Sequence, residues 1–161
     1  MKYAFPLLLS LAAFPALAND QACQATDEKQ VAALFDRWNE DVESGDPQRV
    51  VENYAQNSML LPTVSNTPRE TPEAKGDYFE HFLALKPKGE IVSRMIMIDC
   101  NTALDTGLYS FRLGDGNTVP ARYTFTYKWV DEAGEWLITS HHSSAMPQKA
   151  EAAQQAPNSA H

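Results

Sequence analysis

Two histidines followed by two serines stand near the end of the sequence, in the segment WLITSHHSSAMP over residues 136–147. Imidazole and hydroxyl groups can bind a metal ion, act in acid–base or nucleophilic catalysis, or hydrogen-bond a ligand. The segment has the composition of a β-strand, so His141 and His142 point to opposite faces and cannot both ligate one metal ion. Ser143 shares a face with His141, but no orienting acid or nucleophile elbow lies nearby. We therefore expect neither a metal site nor a serine nucleophile.

Strict alternation along this strand places His142 on one face with Trp136, Ile138, Ser140 and Ser144. That face begins apolar and ends polar. It fits either the wall of a pocket or a core face that reaches solvent, and the sequence leaves both interpretations open.

Arg122 is the most informative charged residue, since it interrupts a strand, TVPARYTFTYKWV, whose opposite face is almost wholly aromatic. A guanidinium on a half-buried face of threonines needs an anionic or hydrogen-bonding partner. That partner is either an acid of the protein or the carboxylate of a ligand. Arg69, in a proline-flanked loop, and Tyr78, on a predicted helix, are further candidates for a pocket rim. Asp105 is a candidate general base if the protein performs acid–base chemistry.

These side chains must be positioned by helices that come first in the chain and strands that follow. Apolar residues recur at helical spacing over residues 27–44, with Thr26 or Asp27 as a cap and Gly45 as the end. A short helix starts at Asp46-Pro47, and a third starts near residue 71. The segment SMLLPTV predicts a short strand between the second and third helices.

Four β-rich segments follow residue 90 and predict an antiparallel meander. They are EIVSRMIMIDC, ALDTGLYSFRL, TVPARYTFTYKWV and EWLITSHHSSAMP. Helices followed by strands indicate an α+β fold in which three helices pack on one face of a curved antiparallel sheet. The concavity between sheet and helices is the default place for a ligand.

The ends of the chain predict export and processing. Residues 1–18 have a positive start, an apolar stretch and an A-x-A site, which is the pattern of a signal peptide. We expect a periplasmic or secreted protein with an N-terminal segment over 19–26, one domain over 27–147 and a disordered tail over 148–161. In an oxidising compartment, the only two cysteines, Cys23 and Cys100, favour a disulfide.

The charge distribution argues against two classes of partner. The net charge is −8, and no cluster of Lys and Arg occurs. Since binding to nucleic acid or to an anionic membrane depends on grouped cations, we expect neither partner. No dinucleotide-binding glycine motif is present, and we expect no cofactor.

Taken together, several segments resemble the bacterial relatives of the calcium/calmodulin-dependent protein kinase II association domain, within the nuclear transport factor 2-like (SnoaL-like) superfamily. The resemblance covers residues 27–147 and is carried by LFDRWNEDVESGDPQRVVENYA, LLPTVSNTPR, YFEHFL, DTGLYSFRL, ARYTFTYKW and WLITSHHSSAMP. It implies a cone-shaped α+β barrel whose curved sheet wraps a long N-terminal helix. It also implies self-association, as a homodimer or higher oligomer, through the outer surface of the sheet.

The resemblance further implies a pocket lined by arginine and histidine, with Arg122 and His142 as the first candidates and Tyr78 and Arg69 as the second. We expect an exported, homo-oligomeric binding module for a small carboxylate-type ligand. The alternative is a cofactor-independent isomerase, hydro-lyase or cyclase of the SnoaL-like type, with His142 or Asp105 as general base. A purely structural assembly domain is the third possibility, and it predicts a filled interior.

Overall fold

The computed structural model of the chain describes residues 22–63 and 65–147. The predicted signal peptide over residues 1–18 and the predicted tail over 148–161 lie outside the described residues. The three predicted helices are present: α1 (Glu28–Ser44), α2 (Pro47–Glu52) and α3 (Pro72–Leu83). None of them has the length and hydropathy to span a lipid bilayer.

The helix ends follow the local sequence. Asp27 caps α1 by accepting a hydrogen bond from the Gln30 amide, and the Gln30 side chain accepts one from the Asp27 amide, which completes a capping box. Gly45 ends α1 at a φ of 77°, a left-handed conformation that a glycine adopts without strain. The side chains of Asp46 and Thr71 cap α2 and α3 by accepting hydrogen bonds from the Gln48 and Ala74 amides.

Five strands form one sheet in the order β1-β5-β4-β3-β2. Their bounds are β1 Tyr54–Leu61, β2 Lys88–Asp99, β3 Thr102–Arg112, β4 Thr118–Val130 and β5 Glu135–Ala145. The four predicted meander strands are confirmed, with each neighbouring pair antiparallel.

Three features of the sheet differ from the sequence-based expectation. The sheet is mixed, since β1 pairs with β5 in parallel. It is also not closed: β1 and β2 are its two edges, so the expected barrel is an open, curved sheet. Strand β1 also begins earlier than the predicted segment SMLLPTV, at Tyr54, because Asn53 ends α2 through its backbone N–H and its side-chain amide.

The long helix α1 lies against the concave face of the sheet, as the resemblance implied. Phe35 and Trp38 of α1 pack on Phe125 of β4, with ring centroids 6.2 and 5.5 Å apart. Tyr123 and Tyr127 extend this inward-facing aromatic row along β4. Burial of the row against α1 removes large apolar surfaces from water and so stabilises the domain.

A disulfide joins Cys23 to Cys100, with the two Cα atoms 4.8 Å apart. It ties the segment before α1 to the turn between β2 and β3. Asn101 adds two hydrogen bonds there: its side chain accepts from the Gln24 amide at 2.6 Å and donates to the Ala22 carbonyl at 3.2 Å.

Candidate functional site

A bulge in β5 decides which residues of WLITSHHSSAMP face the interior. In the pairing with β4, Thr126 lies opposite Ser140 and Tyr127 lies opposite Ile138, so Thr139 is an extra residue. A bulge of this kind shifts the inward–outward alternation by one position. Ile138 and His141 therefore share the inner face, and His142 is exposed on the outer one.

The interior contains a pocket of about 130 Å³ between α1, α3 and the sheet. Its wall is mostly apolar, and among the residues that line it are Trp38, Leu60, Phe79, Phe82, Phe111 and Leu113. The lining residues that carry a hydroxyl or an imidazole are Thr63, Tyr78, Tyr109, His141 and Ser143. The described lining contains no Lys, Arg, Asp or Glu side chain.

Three hydroxyl groups meet at one end of the pocket. Tyr109 of β3 donates a hydrogen bond to Ser143 Oγ of β5 at 2.5 Å. Ser143 Oγ also bonds to Thr63 Oγ1, which lies just after β1. We call Thr63, Tyr109 and Ser143 the hydroxyl cluster. Burial raises the pKa of Tyr109 well above its usual value, so the cluster is uncharged at neutral pH.

His141 lies directly behind the hydroxyl cluster and is only 3% exposed. Its ring stacks on Phe125 at 3.9 Å and meets the edge of Trp38 at 5.3 Å. Its Nδ1 is 2.9 Å from the Tyr54 hydroxyl, and its Nε2 is 3.5 Å from the Tyr109 hydroxyl. Burial lowers the pKa of His141 to about 3, with a further contribution from His142, so the imidazole is neutral at physiological pH.

Of the four residues expected at the ligand site, Tyr78 lines this pocket. Its ring stacks on Phe82 at 5.9 Å, and burial raises the pKa of its hydroxyl to about 12. Arg69 does not line the pocket. Its backbone N–H and C=O pair with Leu60, and its Nη2 lies 3.4 Å from Ser65 Oγ.

Arg122 and His142 do not belong to the interior pocket, which corrects the expectation that they line it with Tyr78. Both lie on the outer face of the sheet, beside a shallow hollow that Thr124 and Ser144 also line. Arg122 Nε donates to Ser144 Oγ at 3.1 Å, and no carboxylate of the described residues forms an ion pair with it. The reason is the alternation of side chains along each strand. Arg122 is next to inward-facing Tyr123 in β4 and so points outward, and the bulge at Thr139 turns His142 outward in β5.

Asp105, the other candidate base, is fully buried away from the pocket wall. It accepts a hydrogen bond from the Tyr123 hydroxyl at 2.8 Å and pairs with Arg94 Nε at 3.1 Å. Burial raises the pKa of the Asp105 carboxyl, and the bonds from Tyr123 and Arg94 oppose that rise. These contacts hold Asp105 within the protein through Oδ1, whereas its Oδ2 has no hydrogen-bond partner among the described residues.

Sequence reasoning missed Thr63 and Tyr109, and it considered Ser143 only as a partner for His141. In the structure, Ser143 and His141 each reach Tyr109 across the sheet, rather than each other. The sequence pattern that could have indicated Tyr109 is its position two residues before Phe111 in LYSFRL, which places both side chains on the same, inward face of the strand. No group of three or more His, Cys, Asp or Glu residues in the described ranges is arranged to hold a metal ion.

Comparison with known proteins identifies the fold and the family. The model of the calcium/calmodulin dependent protein kinase II association domain matches residues 27–147. A crystal structure of such a domain from Xanthomonas campestris is 45% identical, with a TM-score of 0.72, over 85% of this chain and 94% of that one. No curated protein matches the chain.

Two more distant structures share the fold. A nuclear transport factor 2-like protein of unknown function from Pseudomonas putida KT2440 is 19% identical, with a TM-score of 0.65, over 74% of this chain and 86% of that one. An iota-carbonic anhydrase from a cyanobacterium, solved in complex with bicarbonate, is 21% identical with a TM-score of 0.67. The match covers 76% of this chain and 93% of the anhydrase.

Proposed function

We propose, for a chain that belongs to the family of calcium/calmodulin-dependent protein kinase II association domains, that its interior pocket binds bicarbonate and interconverts it with carbon dioxide and water. This is a hydro-lyase reaction on a small carboxylate-type ligand. The observation that carries the proposal is the hydroxyl cluster of Thr63, Tyr109 and Ser143 beside neutral His141, at the end of an otherwise apolar pocket.

The size of the pocket supports a small substrate. Pockets for drug-sized ligands have volumes of roughly 300–1,000 Å³. At about 130 Å³, this one is too small for a steroid or a polyketide. Size therefore favours a hydro-lyase acting on a few-atom substrate over a cyclase or an isomerase of polycyclic compounds.

The charge of the pocket supports a substrate that enters neutral. Burial of an unpaired anion among apolar groups is costly, and the described lining offers no cation. Carbon dioxide carries no charge and fits the apolar wall. Bicarbonate would be bound only through hydroxyl donors, which allows the product to leave.

In the hydration direction, the oxygen of a water molecule forms a bond to the carbon of carbon dioxide. The π electron pair of one C=O bond moves to its oxygen, and a proton of the water passes to solvent base. Hydroxyl donors placed where this negative charge develops stabilise the transition state. With a pKa of about 3, His141 is a poor proton acceptor at neutral pH, so we assign it the task of holding Tyr109 in place.

We further propose that the outer face of the sheet, rather than the pocket, mediates self-association. On that face, Met95 of β2 is a cross-strand neighbour of Thr106 in β3, which is followed by Thr124 in β4 and His142 in β5. Met97 lies two residues further along β2 and points to the same side. Met95 and Met97 are 54% and 52% exposed, which is unusual for apolar side chains at adjacent outward positions of one strand. An isologous contact between two such faces would cover them.

Export to the periplasm or medium is also a proposal, and the Cys23–Cys100 disulfide supports it because such bonds persist in oxidising compartments. Mass spectrometry of the protein from an exported fraction should give a chain that starts at Asn19. Retention of residues 1–18 there would contradict the proposal.

The activity is tested by stopped-flow measurement of carbon dioxide hydration with the full exported chain. We expect Ser143→Ala to lower the rate by about 10²–10³-fold, the usual effect of removing one donor to a developing oxyanion. Ser144→Ala is the matched control, since Ser144 is the next residue and lies on the outer face. It should leave the rate unchanged.

A wild-type protein without hydration activity would contradict the catalytic proposal. Titration with ¹³C-bicarbonate then separates two cases. Saturable binding that Ser143→Ala abolishes would mean a binding module without turnover, whereas no binding would remove the pocket from consideration altogether.

A further inference from the structure

We infer that Trp38 sets the direction of a hydrogen-bond relay that ends in the pocket, and that it thereby makes the hydroxyl cluster a donor to the ligand. The relay runs from Trp38 through Tyr54, His141 and Tyr109 to Ser143. Each member is buried, so each of its polar hydrogens needs an acceptor within the protein.

The relay begins with a group that can only donate. The indole Nε1–H of Trp38 donates to the Tyr54 hydroxyl oxygen at 3.2 Å. The only hydrogen-bond partners of that hydroxyl among the described residues are Trp38 and His141. Its own proton must therefore go to His141 Nδ1, 2.9 Å away, or stay unpaired.

The second alternative is unfavourable. If His141 Nδ1 carried a proton, the Tyr54 oxygen would accept twice and its hydroxyl hydrogen would have no acceptor. A buried donor without a partner loses its hydrogen bond to water and gains none in the protein, which disfavours this arrangement. The arrangement that satisfies every group has Nδ1 as an acceptor, and a neutral imidazole then carries its proton on Nε2.

From Nε2 the relay continues towards the pocket. Nε2 faces the Tyr109 oxygen at 3.5 Å, which places its N–H as a donor. Tyr109 in turn donates to Ser143 Oγ at 2.5 Å. Ser143 and Thr63 then have two hydroxyl hydrogens between them, and their mutual bond uses one.

One hydroxyl hydrogen is therefore left for a ligand, whichever of the two residues keeps it. A relay of the opposite direction would turn oxygen lone pairs towards the pocket and repel an oxyanion. The identification of bicarbonate as the ligand of this donor rests on the proposed function. The direction of the relay is independent of it. Trp38 and Tyr54 are thus positioning residues that act through His141 and Tyr109.

The test is ¹⁵N NMR of the histidine rings in the full chain, with the His141 signals assigned by their loss in His141→Gln. We expect wild-type His141 to be neutral, with Nε2 protonated and Nδ1 at the unprotonated position. Trp38→Phe should bring in a measurable share of the Nδ1–H tautomer. The smaller ring leaves room beside Tyr54 for a water molecule, which can accept the Tyr54 hydroxyl hydrogen while Tyr54 accepts from His141.

Tyr54→Phe is the second variant, in case Trp38→Phe does not fold. It should shift the His141 Nδ1 and Trp38 Nε1–H resonances together, since both lose the same partner. Tyr127→Phe is the matched control. Tyr127 is fully buried, and its hydroxyl has no hydrogen-bond partner among the described residues, so neither resonance should move.

The outcomes separate the inference from the proposed function. An Nδ1–H tautomer in the wild type, or a single Nε2–H tautomer in folded Trp38→Phe, would overturn the role of Trp38. If the resonances behave as expected and the wild type lacks hydration activity, the relay stands and the reaction does not. If both hold, Tyr54→Phe should lower kcat by about 10-fold, less than the loss of a direct donor.

Discussion

His141 and His142 are consecutive in β5, yet their rings lie on opposite sides of the sheet. His141 is 3% exposed and stacked on Phe125, whereas His142 lies beside Arg122 and Thr124 at the outer hollow. The same substitution at His141 and at His142 therefore compares a buried histidine with an exposed one.

We expect His141→Gln to destabilise the domain and slow the proposed reaction, and His142→Gln to do neither. Loss of the ring leaves the Tyr54 hydroxyl without its acceptor, at a cost of about 1–3 kcal/mol. Tyr109 also loses its donor, so the hydration rate should fall by at least about 10-fold. Urea unfolding and stopped-flow assays measure the two effects. Equal behaviour of the two variants would contradict the prediction, and a damaging His142→Gln beside a silent His141→Gln would mean that the two faces are assigned the wrong way round.

The buried imidazole also predicts an acid-sensitive fold. The pKa of His141 is about 3 in the folded chain, against an ordinary 6.5 once unfolded. Between these values the unfolded chain binds a proton that the folded chain does not. The free energy of unfolding should therefore be independent of His141 above pH 6.5 and fall by up to about 1.4 kcal/mol per pH unit below it.

Urea titrations of wild type and His141→Gln between about pH 7 and pH 4 check this sign. In the variant, the free energy of unfolding should fall less steeply with decreasing pH, because the contribution of His141 is absent. Asp105, whose raised pKa acts in the opposite sense, is present in both proteins and cancels in the comparison. Parallel pH profiles would contradict the prediction.

Removal of the disulfide should reduce stability without changing the pocket. Cys23 and Cys100 are 77 residues apart, and closing a loop of this length stabilises a fold by about 4 kcal/mol in the chain-entropy model. The Cys23→Ser/Cys100→Ser double variant should unfold at lower urea concentration. Its hydration rate should match that of the wild type, since the bridge lies at the β2–β3 turn, away from the residues that line the pocket. A lost rate in the folded variant would contradict that separation.

The outer face should control the oligomeric state. Met97→Lys places a charge among residues that we expect to be covered by a second copy, and it should shift sedimentation from dimer to monomer. Ala133→Lys adds the same charge in the exposed turn between β4 and β5 and serves as the control. A Met97→Lys protein that remains dimeric would place the interface elsewhere.

Much of this architecture was readable from the sequence. The apolar stripe of α1, its Asp27 cap and its Gly45 end are local signals, and each is confirmed. The four meander strands follow from alternation and turn residues. The parallel pairing of β1 with β5 was not predicted, because it depends on which edge of the sheet remains free after the meander has formed.

The site was less accessible, for a physical reason. Thr63, Tyr109 and Ser143 come from three different elements, and no spacing along the chain links them. The bulge at Thr139 is set by the register against β4 and leaves no mark in β5 itself. Without it, alternation assigns the inward place to His142 instead of His141.

The residues beyond that bulge come in pairs of like chemistry: His141 with His142, and Ser143 with Ser144. If this end of β5 slid by one position, every side chain would change sides. An imidazole and a hydroxyl would nevertheless still point inward, since His142 would take the place of His141 and Ser144 that of Ser143. A one-residue shift of this strand would therefore keep the same chemical groups on the inner face. It would change only their positions relative to the pocket.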